Sequence, residues 1–225
     1  MNELRAVSIP AGPKLNLGCG PVQPDGWINV DGSNRAWLAS KVNWLDNLLV
    51  RLRIISKTEF NKQTRVLNLL NGLPFQNNSI AAIYAGELWE HLELEDARKL
   101  SAECFRVLAP GGVLRLVVPD GIEFWSKYLD IFRETMAVPR ELRSGEPLQK
   151  HVAMYFRDIC TRQIWLGSMG HVHKWQYDEV QLTEQMERVG FVEVERQSFQ
   201  VSRIPDIRLV ERSNFLIIEG VKPRE

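Results

Sequence analysis

Lys14-Leu15-Asn16-Leu17-Gly18-Cys19-Gly20 runs an apolar strand straight into two glycines that flank one small residue. Glycine there lets the backbone turn tightly and lets a ligand approach without meeting a Cβ. Taken alone, the pattern suits a structural turn as well as a binding loop. Its dinucleotide form fails here, because that form needs a third glycine at Gln23 and a later acidic residue. Pro21 and Pro24 interrupt the region instead, and Asp31 already closes the next apolar run, Trp27-Ile28-Asn29-Val30. A carboxylate at the end of a second strand can accept both hydroxyls of a ribose, or it can simply form the turn Asp31-Gly32-Ser33.

Outward from this stretch, short β-type runs alternate with helical patterns, which predicts an α/β fold with a parallel sheet. The expected strands are Lys14–Leu17, Trp27–Val30, Arg65–Asn68, Ile80–Tyr84, Gly112–Val118, Phe191–Glu195 and Phe215–Val221. A helix is expected over Glu95–Leu108, with acids at its start, a face of Ala97, Leu100, Cys104, Val107 and Leu108, and Pro110-Gly111-Gly112 at its end. A second is expected over Asp178–Val189, capped by Asp178 with Gln181 and stopped by Gly190.

Two segments exceed a minimal alternating fold. In Arg35–Lys57, nine apolar residues from Trp37 to Ile55 fall on an arc of roughly 160° at helical pitch. Gly121–Tyr177 carries amphipathic patterns around Trp125/Tyr128/Leu129/Phe132 and Val152/Tyr155/Phe156/Ile159, too apolar for simple loops. The chain therefore reads as a single domain over 1–225, with a helical insertion or lid at 35–65 and a substrate cap at 121–177.

The 28 basic and 28 acidic side chains cancel, so the chain lacks the positive excess that nucleic-acid binding needs. Hydrophobic residues at 44% suit a sizeable core, and no apolar run is long enough for a signal peptide or membrane span. Cys19, Cys104 and Cys160 are an odd, scattered set without zinc spacing, which fits a reducing, cytoplasmic setting.

Further motifs follow in order: Leu73-Pro74-Phe75, then Ala85-Gly86-Glu87-Leu88-Trp89-Glu90-His91-Leu92, then Arg106-Val107-Leu108-Ala109-Pro110-Gly111-Gly112. With Leu15–Gly20 and the closing Asn214–Lys222, they resemble the class I S-adenosylmethionine-dependent methyltransferases of the type 11, small-molecule kind. The resemblance covers roughly Lys14–Asp120 and Tyr177–Lys222. It implies a Rossmann-like sheet of seven strands, mostly parallel with an antiparallel last strand, helices on both faces and an inserted helical cap. It also implies S-adenosylmethionine as cofactor, leaving as S-adenosylhomocysteine.

On that resemblance Gly18, Cys19 and Gly20 would pass under the methionine and ribose, and Asp31 would hold the ribose hydroxyls. Asn68 and Leu69 would flank the adenine, and Ala85, Gly86 and Glu87 would lie beside the sulfonium. Asn16 stands where the family usually has Asp, so its water-mediated contact to the cofactor's ammonium is weakened or made otherwise. Asn68 and Ala81 also replace usual acids. Pro21–Gly26 is too short for the first crossover helix, so a loop or single turn is expected there, with Arg35–Lys57 replacing the missing wall.

Methyl transfer needs alignment, plus a base if the nucleophile is a weak acid. His173 and His91 are the candidate catalytic residues, His173 as base or orienting donor. The bland readings are packing of His173 against Trp175, and a backbone contact for His91. His171 and His173 share a side if extended, which is also a metal-ligand spacing. No acid or Cys lies beside them in sequence, and no metal is assigned. Gly167 and Gly170 are placed to bend like a hinge before His173. Aromatics and cations in the cap suit a small-molecule or sugar-containing acceptor methylated at oxygen or nitrogen, and relatives with this motif set suggest glycan and polysaccharide pathways. The same residues can equally be the cap's own core and solvated face. Arg35–Lys57 holds five basic residues and one acid, so it reads as a lid or as a weak membrane-surface contact. The alternatives are a non-catalytic module and another nucleotide-binding Rossmann-like protein.

Overall fold

The apolar runs fold as strands β1 (Lys14–Leu17), β2 (Ile28–Asp31), β3 (Arg65–Val66), β4 (Ile80–Gly86), β5 (Leu108–Val118), β6 (Val192–Arg196) and β7 (Leu216–Val221) in the computed structural model. The structure describes residues 9–54, 60, 64–156 and 172–224. The strands form one seven-stranded sheet in the order β3-β2-β1-β4-β5-β7-β6. β1 to β5 pair in parallel, and β7 runs antiparallel to both β5 and β6. β1 lies where the strand order reverses, with Leu15 paired to Ile28 on one side and Ile83 on the other. In open α/β sheets a crevice forms at that point, beyond the carboxyl ends of the strands.

One face is covered by helices α3 (Leu94–Val107) and α6 (Glu179–Val189), both within one residue of the bounds expected at their starts. α3 buries Ala97, Leu100, Ser101, Cys104 and Val107, with Glu95 and Asp96 in its first turn and Arg106 in its last, as the helix dipole favours. The Asp178 carboxylate caps α6 by accepting from Gln181 N at 2.9 Å, and Gly190 ends it in the left-handed region at φ 112°. These helices pack on Leu17, Ile83, Leu114, Leu116 and Ile218, all fully buried. Each such side chain contributes about 1.5–3 kcal/mol.

The opposite face is covered by a loop segment rather than long helices. Ile204, Ile207 and Val210 seal Ala82, Tyr84, Val113, Val117 and Ile217. Arg115 on β5 ties this cover down, and its side chain is fully buried. Nε and Nη2 donate to Glu211 at 2.7 and 3.0 Å, and Nη1 donates to Glu219 at 3.0 Å. The remaining N–H bonds go to the carbonyls of Val201 (2.9 Å) and Ser198 (3.1 Å), so all five guanidinium donors are used.

Four strands differ from their expected lengths: β4 gains Ala85 and Gly86, β7 loses Phe215, and β3 and β5 change for local reasons. β3 stops at Val66 because the Asn68 side chain caps a 3₁₀ turn, Leu69–Asn71, accepting from Leu70 N at 3.1 Å. β5 begins at Leu108 because Pro110-Gly111 does not end strand pairing. Gly111 N donates to Lys222 O and Lys222 N to Gly112 O, both at 2.8 Å.

No helix lies between β1 and β2, as the short Pro21–Gly26 stretch predicts. After β2 the apolar stretch breaks at Val42 into α1 (Asn34–Lys41) and α2 (Asn43–Arg51). Its apolar arc is split, with Leu38, Val42, Leu45 and Leu49 half-buried. Asp46 is the one buried residue of α2, bound to Arg35 Nη1 at 2.6 Å, while Trp37, Trp44, Leu48 and Leu52 are exposed. Ile55 and Lys57 lie outside the described residues.

Between β5 and α6 stand α4 (Gly121–Ala137) and α5 (Glu146–Tyr155). They pack through Phe124, whose ring stacks on His151 at 4.4 Å and meets Tyr155 at 4.3 Å. Gly121 N donates to Tyr177 O at 2.8 Å, so the segment leaves and returns at one point. Ile159, Cys160, Trp165, Gly167, Gly170 and His171 lie outside the described residues. Among the described residues no helix is long and apolar enough to cross a membrane.

Candidate active site

A cleft of about 290 Å³ opens beyond the carboxyl ends of β1, β2 and β4. Gly18 and Gly20 form its floor in the left-handed region, at φ 65° and 50°. A Cβ on Gly20 would meet nothing within 4 Å, whereas one on Gly18 would press on Leu88 at 3.3 Å. Cys19 turns inward between them. Burial, with Asp31 adding, pushes its thiol up to about 12, so it is neither nucleophile nor lining.

Asp31 ends β2 and joins two walls of the cleft. One carboxylate oxygen accepts from Gly20 N at 3.0 Å and the other from Ser33 N at 2.8 Å. Each oxygen retains a second lone pair. Gly32 follows because the chain passes so close to β3 that a Cβ would lie 2.8 Å from Leu67 O. Leu67, Leu69 and Leu70 add an apolar wall, and Asn68 lies beside them with its amide oxygen engaged in the cap.

Glu87 stands at the end of β4 with φ 54°, a backbone region that costs a non-glycine residue about 1 kcal/mol or more. Its N–H donates to Val117 O at 2.8 Å, and its carboxylate accepts from the Ser213 hydroxyl. The chain then makes a 3₁₀ turn, Trp89–His91, which carries His91 onto the wall. The returning segment docks on this turn. Lys174 N and Trp175 N both donate to Glu90 O, at 2.7 and 3.2 Å, and His91 Nδ1 lies 3.3 Å from Val172 O. His173 is thereby placed edge-on to His91, ring centroids 4.8 Å apart.

The structure thus gathers seven of the sequence-assigned residues on one cleft: Gly18, Gly20, Asp31, Asn68, Leu69, Glu87 and His91. Asn16, Cys19, Ala85 and Gly86 stand behind the wall. Asn16 is buried, and its Nδ2 donates to Val22 O (2.8 Å) and Asn29 Oδ1 (3.0 Å), bracing the loop that would otherwise be a helix. Ala85 is likewise buried in the core. His173 adjoins the cleft through His91 rather than lining it.

Sequence reading missed Asp96, Lys174 and Glu90. Asp96 and Lys174 line the cleft. Glu90 is 2% exposed, and burial, with the charge of Glu87 adding, pushes its carboxyl up to about 8. The signal for it was its place beside His91, a candidate catalytic residue.

Comparison with known proteins gives one family and a set of folds. Residues 15–116 match the family model described as a methyltransferase domain. A crystal structure of an S-adenosylmethionine-dependent methyltransferase from Archaeoglobus fulgidus superposes with a TM-score of 0.51 at 13% identity, covering 94% of this chain and 86% of that one. Another, from Methanosarcina mazei, gives 0.50 at 15% identity, covering 95% and 93%. No curated protein matches the sequence significantly.

Proposed function

We propose that this chain, an S-adenosylmethionine-dependent methyltransferase by the family that its residues 15–116 match, methylates an oxygen or nitrogen of a small-molecule or glycan-type acceptor at His91 and His173. The observation that carries the reading is a single cleft holding both the Asp31 carboxylate and the His91 imidazole.

The residues present fit the cofactor. The cleft is lined by three acids, Asp31, Glu87 and Asp96, and one ammonium, Lys174, itself paired with Glu93 at 3.4 Å, so a pyrophosphate would meet a negative excess while a sulfonium and an amino group meet complementary charge. The open space above Gly20 suits a ligand lying on the backbone. S-adenosylmethionine supplies a methyl group on a cationic sulfur that leaves as a neutral thioether.

The chain's own residues have two tasks. Asp31 accepts the ribose hydroxyls on its second lone pairs, and the leucine wall holds the base. The acceptor would be held on the side of His91 and His173, which would take its proton. His91→Ala and His173→Ala are each expected to lower turnover about a hundredfold with S-adenosylmethionine affinity nearly unchanged. Calorimetry and turnover per folded molecule check this. A lower melting temperature with normal turnover would reduce both residues to packing.

The segment 121–177 is the proposed acceptor cap. Trp125, Phe156 and Trp175 are exposed on or beside it, which supports a ring-shaped acceptor such as a sugar.

For partners, α2 favours a membrane surface over a lid. The helix half-buries Leu45 and Leu49 beside its one acid, which is buried and neutralised by Arg35, and leaves Trp44 (70% exposed), Leu48, Leu52 and Arg51 turned to solvent. Apolar side chains edged by cations suit an anionic lipid interface, each cation adding about 1 kcal/mol. Cosedimentation is expected with vesicles containing phosphatidylserine and not with phosphatidylcholine alone, and Trp44→Ser should reduce it about tenfold. Equal recovery with both vesicle types would leave only the lid.

A further inference from the structure

The 3₁₀ turn and the returning segment bring three metal-ligating groups together. Glu90, His91 and His173 each offer a ligand atom within 4.8 Å of the others. Proximity alone decides nothing, since acids and imidazoles often meet. Glu90 is what distinguishes this cluster. Its carboxylate is 2% exposed, and among the described residues neither oxygen has a hydrogen-bond partner. Removing a carboxylate from water without compensation costs several kcal/mol, so a fold keeps such a group where something replaces the water. A proton would neutralise it but create a buried O–H needing its own acceptor. A cation would satisfy the oxygens directly.

The imidazoles are arranged to help. Val172 O can only accept, so His91 Nδ1 carries the ring proton and the lone pair lies on Nε2. That is how a metal-bound histidine is normally oriented, by donating its other N–H to a carbonyl or carboxylate. The backbone carrying His173 is fastened to the backbone carrying Glu90 by the two bonds to Glu90 O, so the three groups are held by one rigid joint.

We propose that Glu90, His91 and His173 bind a divalent transition-metal cation at the acceptor end of the cleft. Two imidazoles and one carboxylate are the donor set of zinc, manganese, iron or cobalt sites that keep a position open for substrate. Donors at about 2.0–2.2 Å from a cation stand roughly 3–3.5 Å from one another, so side-chain rotation of about 1 Å closes the set. The proposal rests on the reading of His91 and His173 as the activating pair and says how they act: as ligands rather than bases. A bound cation would take the acceptor's hydroxyl oxygen and acidify it, the proton passing to solvent water. The O–CH₃ bond then forms as the C–S bond breaks, with its electron pair kept by sulfur. The acceptor class that fits is a chelating one, a vicinal diol or a hydroxy-carboxylate.

Cobalt(II) is the probe, because its visible absorption reports coordination without any turnover. The whole chain is expected to bind one equivalent with d–d bands of an imidazole-carboxylate site. Glu90→Gln and His173→Ala should each weaken that binding at least tenfold, while His151→Gln, in the α4–α5 pair, should not. Metal-free Glu90→Gln should melt no lower than the parent, since it removes an uncompensated buried carboxylate. Failure of the parent chain to bind cobalt, zinc or manganese saturably would overturn the proposal, as would cobalt binding unchanged in both Glu90→Gln and His173→Ala. S-adenosylmethionine affinity, measured on the same samples, tests the proposed function separately. Its loss from the parent would sink the methyltransferase reading of the cleft and leave the metal result standing on its own.

Discussion

Asp31→Ala is expected to bind S-adenosylmethionine about a hundredfold more weakly than the parent while remaining folded. Hydrogen bonds to a charged acceptor contribute roughly 1.5–3 kcal/mol each. Two of them, at the low end, come to about 3 kcal/mol, and each 1.4 kcal/mol is a factor of ten. Asp31 also receives Gly20 N and Ser33 N, so its removal loosens both loops. The two effects separate by measurement. Loop damage lowers the melting temperature without ligand, whereas lost ribose contacts appear in the dissociation constant by calorimetry. Unchanged affinity in a folded variant would remove Asp31 from the cofactor site.

The largest stability change is expected at Arg115. Arg115→Met should cost about 3–5 kcal/mol, because it leaves the fully buried Glu211 without its cation and the fully buried Glu219 with only Arg203, at 3.5 Å. It should also release the loop carbonyls of Ser198 and Val201, exposing the second face of the sheet. Adding Glu211→Gln and Glu219→Gln should recover part of the loss, since the penalty lies in stranded charge rather than in lost packing. Denaturant titration of the three proteins measures this. A single variant within 1 kcal/mol of the parent would show that water reaches the carboxylates.

The fold was legible where one local rule decides. Strands such as Ile80–Gly86 and Leu108–Val118 are apolar on both faces, and α6 carries its cap and stop in Asp178 and Gly190. The glycines, Asp31 and His91 were legible because turn chemistry and strand ends place them. What failed to show was whatever depends on chain meeting chain. The arc of Arg35–Lys57 has helical pitch, but pitch does not say which side faces in, and α2 buries Asp46 more fully than its leucines. Glu90 gave no sign of burial because nothing nearby in sequence covers it. Residues 172–175 do, more than eighty positions away.

The closure of the segment between β5 and α6 has a consequence for how such a protein can change. Its entrance, Gly121, and its exit, Tyr177, are hydrogen-bonded to each other, and Asp120 pairs with Tyr177 as an isolated bridge. From the sheet's side the whole insert spans no gap, so its length is nearly free to vary. Loop-closure entropy grows only with the logarithm of length, about 0.6 kcal/mol per doubling. One helical pair can therefore be exchanged for another by recombination at these two neighbouring residues, leaving β1 and β2 with their ligand groups untouched. If the insert is the acceptor cap, as proposed, acceptor preference and cofactor use can then diverge as separately inherited traits. A chimera joined at Asp120 and Tyr177 is the laboratory form of that exchange.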